Sequence, residues 1–581
     1  MNWLQRWIVD LFNAFAARYY RRKYGASARQ LGRQPQEEDG QRGFIILEID
    51  GLAYDYLRQA LAQGYLPYLA RLLLSRKLRF GRWRCGLPST TPASQAGILY
   101  GNNWDIPGFR WYDKASGDSI MCKMPGTVRT IQERISQGHE GLLRGGSSYT
   151  NMFDGDARLA LFTLSALGQD HVFENVRGLG FLVLFGLNVV RLLRVIALSL
   201  WTWLVYVVKR LASWVRARPR DIHFTFLGPL LQIFNNIIFR EVATFSVMVD
   251  IYRGMPAIYA SYTGYDEIAH HFGADSLDAF RALRGIDKQI RQIDRIRQLY
   301  VQREYDLYIL SDHGMTPSEP FSWIYGETLQ QFLAAHTGQE VHAGEEWQET
   351  EGLPEARIQF LLDELRELEA RSQAVLSARV LRATRRRLDE QLLAAVLDAG
   401  WDLSRRGDTV VSSSGSLSHL YFNVTDRQMN LSELALLYPD LLETLVNHEG
   451  IGLVVGREGQ DVVLAGKAGT LWVGPDEQHL EGDHPLGDLP RPQWAVDQVR
   501  RVASFPHAGD LLLLGAWDQG RVVSFEEQVA SHGGLGGPQD WPFIAFPREI
   551  DLAPRDIENS EQVYERLARI YDIAVAEREA G

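Results

Sequence analysis

Cysteine is nearly absent from this sequence: the two thiols are Cys85 and Cys122, in 581 residues. Two thiols build neither a disulfide framework nor an all-cysteine zinc site, so both read as buried and inert. Positive charge is also short. A net charge of −11 excludes general nucleic-acid binding, which needs a basic surface to neutralise phosphates. No cleavable secretory signal is evident, because Arg6 and Asp10 interrupt the apolar stretch of residues 1–25 and the cluster Arg18, Arg21, Arg22, Lys23 follows it instead of preceding it. Two apolar runs, 178–190 and 195–208, each fall short of the ~18–20 residues that span a bilayer. At 46% hydrophobic and 23% charged, the composition also leaves no room for long disorder.

What is present begins at Gly43–Gly51, GFIILEIDG. Its apolar side chains point to both faces, as in a parallel strand covered on both sides, and Glu48 is the lone interruption. Such strands deliver functional groups at their carboxyl ends, where Asp50 sits and Gly51 permits a sharp turn. A second run, Tyr305–Ser311, ends in Asp312-His313-Gly314. Between them lies LPSTTPASQAGILY, residues 87–100, whose Ser89, Thr90 and Thr91 precede a helix carrying proline in its first turn. Hydroxyls there can be ordinary N-caps, or can meet an anion at the helix N-terminus and attack it. Asp266 and His270 are spaced i,i+4, which puts both on one helical face, able to chelate an ion; His271 points elsewhere. His532 stands in the glycine-rich turn SHGG, where a histidine has little structural purpose. His484, in GDHPLG, is similar in isolation. His419 belongs to a serine-rich turn and strand, facing a crevice or lying on a sheet. Trp104–Tyr112 is aromatic and turn-rich enough to wall that crevice.

Residues 178–218 are basic on one side. Arg191 and Lys209 lie five helical turns apart, with Arg177, Arg194 and Arg216 near the same face. A single span through both apolar runs would bury two arginines at roughly 2.5–3.5 kcal/mol each. A helix lying among headgroups, basic side toward anionic lipid and Trp201, Trp203 and Trp214 at the interface, avoids that cost. The alternatives are a buried helix or a protein-binding surface. Residues 1–25 form either a second amphipathic surface helix or one packed on the protein's own body.

Taken in order, D–G at a first strand, P–S–T–T before a helix, D-x-x-x-H, D–H–G and a late H–G resemble the alkaline phosphatase superfamily, nearest its type I phosphodiesterase/nucleotide pyrophosphatase branch. The resemblance runs from Gly43 to about Pro547, weakly over 115–254 and 317–408. It implies an α/β fold, a three-layer sandwich with a central mostly parallel sheet; helical insertions able to contact membrane are expected from the basic segment 178–218 instead. It implies two divalent metal ions, zinc in most of that branch, although such ligands also accept manganese or iron. Asp266, His270 and His532 would hold one ion; Asp50, Asp312, His313 and the nucleophile Thr90 would hold the other. Thr91, Asn102, Trp104 and His419 are candidates for substrate contact. The chain departs from the branch at Ala93 and Ser94, where many members carry asparagine, so the donor to the phosphoryl oxygens is open. No C/S-x-P-x-R string occurs at residues 88–92, which disfavours sulfate esters.

The expected activity is metal-dependent hydrolysis of phosphate esters through a phospho-threonine, at an anionic membrane surface met by 178–218 and 1–25, on the cytoplasmic face of the cell membrane. A phospho-headgroup transferase and a non-catalytic membrane-bound scaffold are the competing classes. The expected organisation is an amphipathic helix and linker over 1–42 and catalytic segments over 43–114, 255–316 and 409–550, the last with a small β meander. A membrane-associated helical insertion occupies 115–254, a helical cap 317–408, and a C-terminal helix 551–581.

Overall fold

Strand β1 (Gly43–Ile49) is buried at all seven positions, which is what a run with apolar groups on both faces requires. It forms the middle of a seven-stranded sheet with β2 (Leu78–Arg82), β3 (Ser147–Tyr149), β4 (Leu159–Leu161), β5 (Ala257–Tyr262), β6 (Tyr305–Leu310) and β7 (Phe543–Pro547), in the order β2-β7-β6-β1-β5-β3-β4. β1 pairs in parallel with both β5 and β6, and β3 does so with β4 and β5. β7 alone runs against its neighbours β6 and β2. The α/β class and the mostly parallel central sheet are therefore as expected. The computed structural model of the chain describes residues 42–167, 234–299, 303–338, 341–343 and 409–573, with eight positions between 193 and 204. The helix expected over 1–25, most of the basic segment 178–218 and the charged run 355–399 lie outside the described residues.

Registry places the functional strand ends side by side. Ile49 is opposite Tyr262 and Glu48 opposite Leu310, so Asp50, the helix after β5 and the Asp312-His313 pair all emerge at one edge. This is the carboxyl edge, where parallel sheets open their crevices. A second, eight-stranded sheet runs from Val341–Ala343 through Thr409–Ser414, Leu417–Phe422 and Leu511–Gly515 to four further strands ending at Gln478–Gly482. The small β meander expected within 409–550 is the outer part of this larger sheet. The segment 115–254, expected as an insertion, instead contributes β3 and β4 to the central sheet.

A short ribbon completes the frame. Thr316–Pro320, immediately beyond His313, pairs with Ala530–Ser531, with Ser531 opposite Thr316. This pairing brings His532 from the end of the sequence to the side of His313. Cys85 and Cys122 are both free and buried, as expected. Among the described residues, no helix is long and apolar enough to cross a membrane.

Candidate active site at the strand ends

The segment carrying Ser89, Thr90 and Thr91 enters the site through a tight strand-like turn. Helix α1 (Thr91–Tyr100) carries Thr90 at its N-cap position, with extended φ −129° and ψ 151°. Thr90 nevertheless makes no capping hydrogen bond, and its Oγ1 is buried with no hydrogen-bond partner. An N-cap hydroxyl would ordinarily accept from the first turn, so this one is held for something else. Thr91 Oγ1 lies 3.1 Å from His313 Nε2, which makes it the neighbouring candidate hydroxyl. Ser89 anchors the turn: it donates to Gly534 O at 2.9 Å and accepts from Gly533 N–H at 2.9 Å.

Two triads of ligand-type side chains gather beside these hydroxyls. Asp266, His270 and His532 form one and Asp50, Asp312 and His313 the other, the ligand atoms within each lying no more than 4.8 Å apart. Helix α2 (Gly264–Phe272) supplies Asp266 and His270 one turn apart, with His270 Nε2 3.3 Å from Asp266 Oδ2. His313 Nε2 is 3.4 Å from Asp312 Oδ2 and 3.6 Å from Asp50 Oδ1. The triads adjoin, since the rings of His313 and His532 stack with centroids 3.9 Å apart.

All three histidines are oriented the same way. His270 Nδ1 lies 2.9 Å from Ala530 O, His313 Nδ1 2.9 Å from Gly314 O, and His532 Nδ1 2.8 Å from Ser89 O. A carbonyl oxygen only accepts, so each Nδ1 carries the hydrogen and each Nε2 presents its lone pair to the site. His270 Nε2 and His532 Nε2 then face one another at 3.2 Å. Two lone pairs at that distance repel unless a cation lies against both. Asp266 Oδ1 and Asp312 Oδ2 are likewise buried and accept no hydrogen bond. This donor set, neutral imidazoles with carboxylates and a hydroxyl, fits divalent metal ions.

The electrostatics agree. Burial, then the charge of Asp266, pushes the Asp312 carboxyl up to about 7. Burial works against the charge of Asp266 too; only the cationic forms of His270 and then His532 would hold it below the usual carboxylate range, so with neutral imidazoles a bound cation has to supply that charge. Burial lowers His313, keeping it neutral.

Gly51 fits between the triads. Its N–H donates to Asp312 Oδ1 at 3.3 Å, its φ is +70°, and a Cβ there would lie 2.3 Å from Asp266 Oδ1. Gly51→Ala is expected to cost about 1–2 kcal/mol from the left-handed backbone alone. It is also expected to displace Asp266 and weaken metal retention about tenfold or more. Urea unfolding and metal titration of the variant check both effects.

Sequence reasoning missed several groups. Glu48, fully buried under the site, accepts from Gln95 Nε2 at 2.7 Å, from Ser261 Oγ at 2.7 Å and from the Tyr259 hydroxyl. Burial, then Asp312, pushes its carboxyl up to about 8. Gln95 also accepts from Met152 N–H at 2.8 Å, tying α1 to the floor. The one signal was an acid in an otherwise apolar strand. Lys123, Thr150 and Asn151 line the cavity with Asp50, Thr90, Thr91, Asp266, His270 and His532, yet come from a stretch with no readable motif.

Three candidates for substrate contact are not among the cavity's lining residues. Asn102 closes a turn, donating to Ile135 O and accepting from Trp104 N–H. Trp104 is 46% exposed and packs edge-on against Phe505. His419 is fully buried between Pro107 O and Gly509 N–H, and burial lowers it to about 4, so it serves the second sheet as a neutral group. His484 accepts from Leu486 N–H within its own turn. From the expected crevice wall, Phe109 and Arg110 do face the cavity.

Residues 238–418 match the family described as type I phosphodiesterase / nucleotide pyrophosphatase. That segment holds Asp266, His270, Asp312 and His313, and the resemblance read from the motifs is borne out there. The family is one of phosphoric ester hydrolases, so the chain falls in the enzyme class expected. No curated protein matches the chain. Among solved structures, phosphonoacetate hydrolase from Sinorhizobium meliloti 1021 in complex with phosphonoacetate aligns with TM-score 0.42 and 12% identity, over 92% of this chain and 99% of that one. Murine ectonucleotide pyrophosphatase / phosphodiesterase 5 aligns at 0.43 and 9%, over 93% and 97%. Its inactive variant in complex with AMP gives 0.42 and 10% over the same shares.

Proposed function

We propose, from the premise that residues 238–418 match the type I phosphodiesterase / nucleotide pyrophosphatase family, that the chain hydrolyses phosphate esters at a two-metal site with Thr90 as nucleophile. The observation that carries the reading is the approach of His270 Nε2 and His532 Nε2 to 3.2 Å, with both Nδ1 hydrogens committed to carbonyls. Asp266 would complete one metal set, and Asp50, Asp312 and His313 the other, with zinc the first choice and manganese or iron alternatives. Bound divalent ions would lower the hydroxyl pKa of Thr90 and offset charge on the phosphoryl oxygens. Thr90 Oγ1 attacks phosphorus in line, the ester bond to the leaving oxygen breaks, and a phospho-threonine results. Water then attacks the same phosphorus, returning the threonine hydroxyl and releasing the phosphoryl product. Ser89 and Gln95 hold the nucleophile turn still during both steps, which is where positioning contributes most. The test is hydrolysis of bis(p-nitrophenyl) phosphate by purified protein, with zinc and with chelator. Chelator-sensitive turnover is the expected result, and turnover indifferent to chelator sinks the metal mechanism.

We also propose that the protein sits on an anionic membrane surface, at the cytoplasmic face of the cell membrane. It is supported by exposed apolar residues at helical positions, Leu193, Ile196, Leu200, Trp203 and Leu204, whose spacing makes one outward stripe. Flotation with phosphatidylserine vesicles is expected to recover the protein. Neutralising Arg191, Arg194 and Lys209 is expected to remove most of the binding at physiological salt, at about 1 kcal/mol per charge. Unchanged flotation would count against the basic stripe.

A further inference from the structure

Arg84, two residues beyond β2, is a buried cation that no acceptor answers. It is 5% exposed, its Nε–H has no partner, and among the described residues its guanidinium makes no hydrogen bond or ion pair. The other buried arginines among these residues are all answered: Arg110 by Glu526 at 3.1 Å, Arg253 by Asp250 at 2.6 Å and Arg303 by Gly254 O at 2.9 Å. What holds Arg84 is aromatic. Its guanidinium carbon lies 4.0 Å from the ring centre of Trp494 and 4.2 Å from that of Trp541, and Arg82 stands 4.1 Å from Trp541. Rings over a planar guanidinium occupy its faces and not its N–H edges, and the edges are where an oxyanion binds.

These groups line a cavity of about 200 Å³ together with Asp55, Arg491 and Asp540. It shares no lining residue with the cavity of both triads. Its own carboxylates do not answer Arg84. Asp540 accepts from Gly536 N–H through both oxygens at 3.0 Å, and burial pushes it up to about 7. Asp55 is exposed, and among the described residues neither acid makes an ion pair with Arg82 or Arg84. Arg491 is already paired with Glu558. The volume is well above the ~30 Å³ of a water and below the ~300–1,000 Å³ of pockets for drug-sized ligands, which suits a small ion or one group of a larger molecule. Two guanidinium forks offer more N–H groups than the pair of oxygens on a carboxylate accepts, and a phosphate group brings a third oxygen. We propose that this cavity is a second oxyanion site, taking a phosphate group on the edge of Arg84 with Arg82 beside it. The phosphate is either the free ion or the end of a phosphomonoester whose remainder lies outside. The inference goes beyond the hydrolytic reading and does not rest on it.

The experiment therefore needs no turnover. Chelated full-length protein is titrated with potassium phosphate, followed by calorimetry and by melting temperature, against potassium chloride of matched ionic strength. Phosphate is expected to raise the melting temperature saturably above the chloride reference, because it binds the folded chain alone. Arg84→Met is expected to weaken phosphate binding about tenfold or more, the scale of a charge-assisted bidentate pair. Arg84→Lys is expected to recover only part, since an ammonium group keeps the charge but not the fork. Glycerol 3-phosphate binding more tightly than inorganic phosphate assigns a phosphomonoester, and weaker binding assigns the free ion. Equal affinity in wild type and Arg84→Met overturns the proposal, as does a wild type that phosphate stabilises no more than chloride. Should Arg84→Met not fold, Arg82→Met decides, because Arg82 is exposed. Weaker phosphate binding is expected there, and unchanged affinity overturns the proposal. Absent hydrolysis with this binding intact would instead strike the two-metal reading alone.

Discussion

Thr90→Ala is expected to abolish turnover, by roughly 10³-fold or more, the scale of removing a covalent nucleophile. The expectation comes from a hydroxyl placed at a helix start that declines to cap it and stays buried without a hydrogen-bond partner. Thr91→Val is the necessary comparison, because Thr91 Oγ1 touches His313 Nε2 at 3.1 Å. Losing that contact disturbs a ligand's surroundings but leaves the attacking oxygen in place, so about a tenfold loss or less is expected. Stopped turnover in the first variant together with a trapped phosphoryl group on wild-type Thr90, seen by mass spectrometry, confirms the assignment. If Thr91→Val is the dead variant and Thr90→Ala the active one, the register shifts by one residue.

Stripping divalent ions is expected to cost stability as well as activity, and increasingly so as pH rises. Asp312 is pushed up to about 7, as is Asp540, a buried carboxyl that accepts from Gly536 N–H at 3.0 Å, and Glu48 is pushed to about 8, in each case first by burial. A carboxyl whose folded pKa exceeds its unfolded value binds its proton more tightly when folded. Stability is therefore full below the unfolded value and declines as pH climbs through the folded one. Chelated protein should melt at lower temperature at about pH 9 than at about pH 5. Zinc is expected to restore more of the loss at the alkaline end, because it answers the charge on Asp312, whereas Glu48 and Asp540 keep their own cost. Metal affinity should fall below about pH 7, where the ion competes with the proton on Asp312. Melting curves with and without chelator across that range test all three, and a chelated protein that is more stable at high pH contradicts the arrangement of these acids.

Much of the frame was legible because burial on two faces leaves a mark in sequence. β1 and β6 are apolar runs broken only by Glu48 and Asp306, and their ends carry residues with no reason to follow such a run except chemistry. The i,i+4 spacing of Asp266 and His270 is legible for the same kind of reason, since a helix converts spacing into a shared face. What escaped depends on contacts between distant segments. Lys123 and Asn151 gain meaning only when β3 joins the central sheet and the hairpin of Arg110–Asp113 and Asp118–Met121 folds over the site. Glu48 looked like an interruption in a strand, and three hydrogen bonds from other elements turn it into a hub. His419 misled in the opposite direction: its serine-rich setting suggested a reactive turn, while the sheet buries it among backbone partners. Periodicity alone cannot distinguish these cases, because it reports the local element and not what the element packs against.

The ribbon that pairs Ser531 with Thr316 has an implication for how the protein comes into being. One triad member arrives at position 532, and the strand beyond it, β7, closes against β6. During synthesis the amino-terminal ligand Asp50 therefore waits for almost five hundred further residues before its chemistry is complete. On the proposed reading, a growing chain on the ribosome stays chemically silent until residue 532 has emerged, so the ligand set is completed late in synthesis.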